Sequence, residues 1–343
     1  MFLIYINDIV NCSSLGKFIL FADDTNIFVS AKSLPEAYSK ANKLLVELNN
    51  YMTTNLLHIN LSKCCHIVFK PNTKLVDQPY PYLDLHINNK SIKKVESTVF
   101  LGATIDENLS WDPHLTQLKR KLYHATATLS FMRKYVPQNI RKNLYHTLFE
   151  SHLTYSISSW GEISSTKMEP IHRIQKKVMR ILFGDIEAYK LKFLTCARTR
   201  SIENQILGEE FFRREHTKPL FKEHKILVVN NLYSLHCFME TFKILKFHSP
   251  ISLFDQYTFS NRSSLTYTSL IPPKPGSHFF HNTSKIWNTI RAKLKINDLS
   301  KKNDLSIGTN SIKERLKLAL HKNQHTHHHI EWIPSHDYDI TKI

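Results

Sequence analysis

KFILFADDTNIFVS, Lys17–Ser30, is the stretch on which the reading of this chain turns. Two apolar, β-prone runs, Phe18-Ile19-Leu20-Phe21 and Ile27-Phe28-Val29, flank a small residue and two adjacent carboxylates, Ala22-Asp23-Asp24. That is the pattern of a β-hairpin with charge at its tip, its strands buried and its turn acidic. Neighbouring side chains on a strand point to opposite faces, so a tight turn is what lets Asp23 and Asp24 sit together. Carboxylates that close repel unless a cation lies between them. Mg²⁺ is the expected cation, because it takes hard oxygen ligands and is usually held by one or two carboxylates plus phosphates. The plainer account of the same residues is a solvated turn.

Downstream, Ser33-Leu34-Pro35-Glu36 forms a capping box with proline in the first turn, so a helix starts here. Ala37, Ala41, Leu44, Leu45, Leu48 and Met52 recur at three- and four-residue spacing and give it one apolar stripe. Leu57–Lys63 and Ile67-Val68-Phe69 alternate like a strand. Residues 70–81, with Pro71, Pro79 and Pro81, read as a loop, and Leu85–Ile92 reads as a hairpin with a polar Asn88-Asn89 turn. Val99–Asp106, VFLGATID, is a further strand pair in which Gly102 permits a kink or close backbone approach. Phe2–Ile6 is a buried strand or a helix turn.

Beyond Leu109 the period changes. Asp112-Pro113 starts a helix whose stripe is Leu115, Leu118, Leu122, Ala125 and Leu129, running to about Tyr135. A second helix begins near Pro137. A third runs from Met168 to Phe183 and stops at Gly184; Ile171, Ile174, Val178, Ile181 and Leu182 point inward, and Arg173, Lys176, Lys177 and Arg180 crowd the other side. Residues 202–246 suggest further helices and 266–280 a loop. The tract at 325–329, four histidines and a threonine, reads as a flexible tail in preference to a metal site.

At 343 residues and 42% hydrophobic content, two or three domains with sizeable cores are expected. Only seven glycines occur, and no G-x-G-x-x-G or Walker pattern, which argues against a glycine-rich nucleotide-binding fold. The five cysteines are odd in number and lack a C-x-x-C pair, as expected of a reducing compartment. Cys64-Cys65-His66 could suggest zinc, but adjacent ligands diverge on a strand, so structural cysteine is the better account. The opening MFLIYIND has no basic flank and no long apolar run follows, so the chain reads as soluble and intracellular, nuclear or cytoplasmic, with no membrane partner.

The net charge of +17 is unevenly placed. Residues 1–110 hold ten Lys+Arg against ten Asp+Glu, 111–200 hold sixteen against six, and 201–343 hold twenty against thirteen. A neutral segment with an acidic turn followed by a basic one suits a catalytic part followed by a part that grips nucleic acid. Solvated helix faces are the alternative for any one basic cluster.

FADDTNIF resembles the catalytic box of reverse transcriptases, in particular those of non-LTR, jockey-like retrotransposons. Later segments keep the family's order: Leu57–Lys63, LHINLSK, is similar to its LxLNxxKT box, with Cys64 in place of the usual threonine, VFLGATID to its primer-gripping FLGxxID hairpin, Ser151, Tyr155 and Trp160 to a thumb SxxxYxxxxW pattern, and Trp287-Asn288 to a C-terminal WN segment. The resemblance implies an α+β fold: residues 1–107 a partial polymerase palm, an antiparallel sheet with a packed helix; 108–200 a basic helical thumb; 201–343 a mostly helical C-terminal region with a flexible tail. It implies RNA-directed DNA synthesis by two-metal nucleotidyl transfer on an RNA template and DNA primer, with Mg²⁺ or Mn²⁺ held only where the full palm is complete. Asp23 would be the direct metal ligand and Asp24 a supporting one; Lys63 would act as an acid toward pyrophosphate, with an exposed strand lysine as the commoner explanation. Leu101 and Gly102 would grip the primer, and Arg173, Lys176, Lys177 and Arg180 would track phosphates.

The family's third aspartate, finger strands and glycine loop would precede Met1, and Asp8 is misplaced to substitute. The expectation is therefore a truncated enzyme, inactive alone and poorly covered along its palm strands. A non-catalytic nucleic-acid-binding remnant and an unrelated helical interaction protein are the other readings.

Overall fold

The computed structural model describes residues 2–69, 83–184, 217–259, 270–272, 278–294 and 309–323. The expected loop at 70–81, the start of the 202–246 region, most of 266–280 and the histidine tract lie outside them. The chain is mixed helix and strand, as an α+β fold requires, and separates into two compact units, Met1–His114 and Leu115–Ile343. Among the described residues no helix is long and apolar enough to cross a membrane.

The first unit is built around one helix. Helix α1 (Phe2–Ile6) and a 3-10 turn (Asn7–Asn11) lead into β1 (Lys17–Phe21) and β2 (Asp24–Phe28), then into α2 (Leu34–Thr54). Ser33 caps α2 by accepting from the Glu36 N–H, with proline in the first turn, as its sequence predicts. Leu44, Leu45 and Leu48 are buried, together with Tyr38, which the stripe omits. The three leucines share a core with Ile6, Ile9, Ile87 and Ile92, and Phe18, Leu20, Ile27 and Val29 pack against it.

The hairpin strands are covered on one face only, which corrects the expectation that they are buried. Ile19, Phe21 and Phe28 on the other face are exposed, Phe21 at 61%. Gly16 sets how closely the ribbon approaches the helix: a Cβ built there would lie 2.6 Å from Leu44 Cδ1 and 3.1 Å from the Phe28 carbonyl oxygen.

Among the described residues the strands pair two by two. β3 (Cys65–His66), β4 (His86–Ile87), β5 (Lys90–Ser91), β6 (Lys93–Lys94), β7 (Ser97–Phe100) and β8 (Ala103–Asp106) join β1 and β2 in separate two-stranded pieces, β1–β2, β4–β5 and β7–β8 antiparallel and β3–β6 parallel. The expected strand over Leu57–Phe69 shrinks to β3. Asn60 is the reason: its Oδ1 accepts from the Ser62 N–H and hydroxyl and its carbonyl from the Lys63 N–H, which turns the chain where alternation alone would extend it.

The second unit is helical. Most of α3 (Asp112–Met132) belongs to it, and Leu115, Leu118, Leu122, Ala125 and Leu129 are all buried as their spacing predicts. A run opened by Pro137 comprises α4 (Gln138–Leu144), a π-helical turn (Tyr145–Glu150) and α5 (Ser151–Thr154), followed by α6 (Ile157–Trp160) and α7 (Ser165–Phe183). Trp160 is fully buried and donates from Nε1 to the Tyr155 carbonyl at 2.8 Å, so that pattern fixes the break between α5 and α6.

Helices α8 (Lys218–Glu223) and α9 (Val229–Phe247) follow, then α10 (Ile251–Phe254), β9 (Thr258–Phe259) paired with β10 (Leu270–Ile271), α11 (His278–Leu294) and α12 (Thr309–Asn323). β10 and the start of α11 fall where a loop to Phe280 is expected. Trp287 is fully buried and stacks on Phe238 at 4.8 Å. Asn288 accepts from the Leu270 N–H and donates to its carbonyl, completing the hydrogen bonding of a two-residue strand.

Gly16→Ala places a methyl against Leu44 and the Phe28 carbonyl. It should destabilise the first unit by about 1–3 kcal/mol, the usual cost of overpacking, in denaturant unfolding of the full chain.

Candidate active site and nucleic-acid face

The acidic turn follows from strand register. Lys17 pairs with Phe28, Ile19 with Asn26 and Phe21 with Asp24, leaving Ala22 and Asp23 as a two-residue loop. Asp23 therefore occupies the turn and Asp24 opens β2, and both are exposed. Asp24 shares the solvent face of the ribbon with Phe21, Ile19 and Asn26, since paired and alternate residues lie on one side. Ala22 has φ 53°, a left-handed value that costs an L-residue on the order of 1–2 kcal/mol. Positive φ at the first loop residue, with none at Asp23, is the pattern of a II′ turn, where glycine is preferred.

Two adjacent carboxylates are the oxygen donors that Mg²⁺ or Mn²⁺ prefers. Among the described residues, however, no group of three or more His, Cys, Asp or Glu side chains is arranged to hold a metal. Asp23 and Asp24 thus supply only part of a ligand set. Asp8 is engaged elsewhere, accepting a hydrogen bond from Tyr51, whose hydroxyl is pushed up to about 12 by burial and by that carboxylate.

Lys63 is exposed, in a turn and not on a strand. Beside it, Cys64 Sγ donates to the Asn60 carbonyl, Cys65 Sγ lies 3.5 Å from Thr98 Oγ1, and His66 Nε2 lies 3.1 Å from the Tyr38 hydroxyl.

Leu101 and Gly102 form the two-residue loop between β7 and β8, with φ 45° and 82°. Two positive φ values are what a I′ turn demands, so Gly102 is required by the turn and Leu101 is strained in it. Asp106, the aspartate that closes the FLGxxID-like box, has a structural task. Its two carboxylate oxygens accept the Ser110 and Trp111 N–H groups at 3.0 Å, holding the turn that leads into α3. Burial raises its pKa, but these hydrogen bonds outweigh that and leave it below the usual aspartate range.

In the second unit, α7 has the two faces its sequence predicts. Ile171, Ile174, Val178, Ile181 and Leu182 are buried. Arg173 and Lys177 are exposed and Lys176 and Arg180 half-buried, all within one arc at 100° per residue. Glu169 shares that arc, 3.2 Å from Arg173 and 4.0 Å from Lys176, and so offsets part of its charge. Gln175, on the buried side, carries no signal in the sequence. It is fully buried, donates to the Tyr145 hydroxyl and the Leu227 carbonyl at 2.9 Å, and accepts from the Val229 N–H at 3.0 Å. His172, with Phe221 nearby, is pushed down to about 4 by burial and by Lys176, against the opposing pull of Glu169. His224, stacked on Phe183 at 3.9 Å, shifts in the same direction through its own burial.

The chain is similar to the RNA-directed DNA polymerase from the mobile element jockey of Drosophila melanogaster, 22% identical over 167 residues, or 48% of this chain and 18% of that protein. The match supports a reverse-transcriptase-like relationship to non-LTR retrotransposons. The matched part thus spans less than a fifth of that relative's length. No family model and no solved structure matches.

Ala22→Gly relieves the left-handed strain and should stabilise the first unit by about 1 kcal/mol in equilibrium unfolding. For His172 the folded-state pKa lies below the unfolded value of about 6.5. The unfolded chain then binds the proton more readily, so stability falls as pH drops from about 6.5 to 4 and levels off below. Unfolding of the second unit followed across that window should show the loss, and His172→Leu should flatten the slope.

Proposed function

We propose that this chain belongs to the machinery of RNA-directed DNA synthesis in a mobile element. It would present the carboxylates of Asp23 and Asp24 toward a divalent ion and hold a template–primer duplex on the basic face of α7. The observation that carries this reading is the acidic turn: two exposed adjacent carboxylates on a hairpin strained at Ala22, in a chain similar to a mobile-element polymerase. Strain of this kind persists where surrounding structure enforces it and gathers at functional sites. Arg173, Lys177 and Arg180 support the duplex role, since arginine and lysine on one face match a phosphate track. Lys63, exposed in its turn, is free of packing that would keep it from a departing pyrophosphate, and Leu101-Gly102 presents a tight backbone corner for a primer end.

Two-metal transfer needs carboxylates that clamp both ions jointly. The described residues bring two such groups on one turn, which favours a second form of the proposal: the chain alone binds nucleic acid without extending it.

Incubating the full chain with an RNA template, a DNA primer and Mg²⁺ or Mn²⁺ tests both forms. The expected result is salt-sensitive, sequence-indifferent binding with no extension. Replacing Arg173 and Lys177 together by Ala should lower the slope of log K against log salt by about 2, because each cation set against a phosphate contributes about 1. Extension that disappears in Asp23→Ala would establish an active polymerase and overturn the binding-only form. Failure to bind any nucleic acid at low salt would remove both.

A further inference from the structure

We propose that the outer face of α3, a surface separate from the α7 grip, binds unpaired single-stranded nucleic acid by stacking bases on Phe131 and Tyr135. The idea deepens the reading above and rests on it for the premise that the chain binds nucleic acid at all.

The first observation is charge. From Pro113 to Phe149 the chain carries seven lysines and arginines and not one aspartate or glutamate. Arg133 and Arg141 in this stretch donate to the carbonyls of Gly184 and Leu182 and so serve the fold. Arg120, Lys121 and Lys134 are exposed. A surface of this sign, with no acid in its own sequence to neutralise it, attracts a polyanion.

The second is the aromatic content of the same surface. Tyr123 is 54% and Phe131 64% exposed on α3, which has already buried its own apolar stripe, and Tyr135, in the turn that follows the helix, is 71% exposed. Phe131 and Tyr135 lie with ring centroids 5.3 Å apart and planes tilted by 51°, a pair of exposed rings where α3 ends, each with a face open to a base. At 100° per residue Arg120, His124 and Phe131 point within about 40° of one another. Arg120 and Phe131 are about 16 Å apart along the axis at 1.5 Å per residue. That is about the length of five stacked nucleotides at 3.4 Å each.

The third is a shallow cleft of about 280 Å³ on the flank of this face, lined by Lys121, His124, Ala125, Thr128, Leu148 and His152. Its lining sets the apolar Ala125 and Leu148 beside the polar Lys121, His124, Thr128 and His152. Exposed rings interleaved with cations are the means by which proteins hold single strands without reading sequence, because every base has a face to stack. A duplex keeps its bases stacked on one another and can use only the cations.

The test is fluorescence anisotropy of the full chain with labelled oligo(dT) of about 12 nucleotides and with a duplex of equal length. In the expected result Phe131→Ala/Tyr135→Ala weakens single-strand binding at least about tenfold and leaves duplex binding nearly unchanged. Phe131→Trp retains the affinity. Ultraviolet crosslinking of the unsubstituted chain, which does not depend on how a variant folds, should join oligo(dT) to the peptide containing Phe131–Tyr135. Unchanged single-strand affinity in the double variant, or crosslinks elsewhere only, overturns this inference and leaves the proposed function standing. Equal loss for single strand and duplex makes the face a general backbone grip and also overturns it. Retention of oligo(dT) binding with loss of binding to phosphatidylserine vesicles would reassign the face to a membrane surface. Absence of binding to any nucleic acid overturns the proposed function and this inference together.

Discussion

The first unit depends on one close approach, that of the backbone at Gly16 to Leu44 on α2. A two-stranded ribbon is marginal alone in water and needs a partner along its length. Here only one face finds it: Phe18, Leu20 and Ile27 turn toward α2, while Ile19, Phe21 and Phe28 turn away. Seating the ribbon fixes its register, because a one-residue slip would send Phe18, Leu20 and Ile27 into water. Fixed register in turn fixes the loop at two residues, and a two-residue loop forces a left-handed φ on its first member. Ala22 is strained because Leu44 holds the ribbon that Ala22 must close.

A second device recurs wherever secondary structure is too short to satisfy its own backbone. Asn288 accepts and donates at Leu270 on the edge of a two-residue strand. Asn42 does the same in the first unit, donating to the Asp84 carbonyl and accepting from the His86 N–H. Gln175 does it in the core, between Leu227 and Val229. Each side-chain amide stands in for a missing backbone neighbour, and at Leu227 and Val229, where the groups are buried, leaving them unpaired would cost about 1–3 kcal/mol apiece. The small strand pieces persist because helices lend them partners.

These amides also mark the limit of what the sequence discloses. Helix stripes were legible because their apolar residues repeat: Leu44, Leu45 and Leu48 on α2, Leu118 and Leu122 on α3, and Ile174 and Val178 on α7 are buried as their spacing requires. The acidic hairpin was legible from its two β-prone runs, and the Asn88-Asn89 turn from residues that tolerate left-handed φ. Gln175 and Asn288 carry no period. Nothing local tells an amide aimed at a distant backbone from one facing solvent, and the partners lie 52 and 18 residues away. The segment at Leu57–Lys63 misleads for a related reason: its apolar alternation is periodic, while the competing hydrogen bonds of Asn60 leave no periodic trace. Asn60 itself is the local cue, since an asparagine side chain can accept from the backbone N–H two residues on. For the site, sequence located Asp23 and Asp24 at the hairpin tip and the four cations on one face of α7, and it placed Asp106 in a strand pair without disclosing that its carboxylate holds the turn into α3.

Charge placement alters how the basic segment is understood. Residues 111–200 hold sixteen cations, and four of them share one face of α7. Glu169 sits among those four, paired with Arg173 and near Lys176, and an exposed pair of this sort neutralises charge while adding little stability. The arc on α7 is therefore weaker as a source of field than a count suggests. The stretch from Pro113 to Phe149 contains no such acid. At ordinary salt, where exposed charges interact over roughly 8–10 Å, a local absence of acids matters more than the total. The attraction for a polyanion should then be strongest along α3, where exposed rings already accompany the cations. The apolar atoms left uncovered there and the acids left out of its sequence have the same consequence, a surface suited to a flexible, charged and stackable strand.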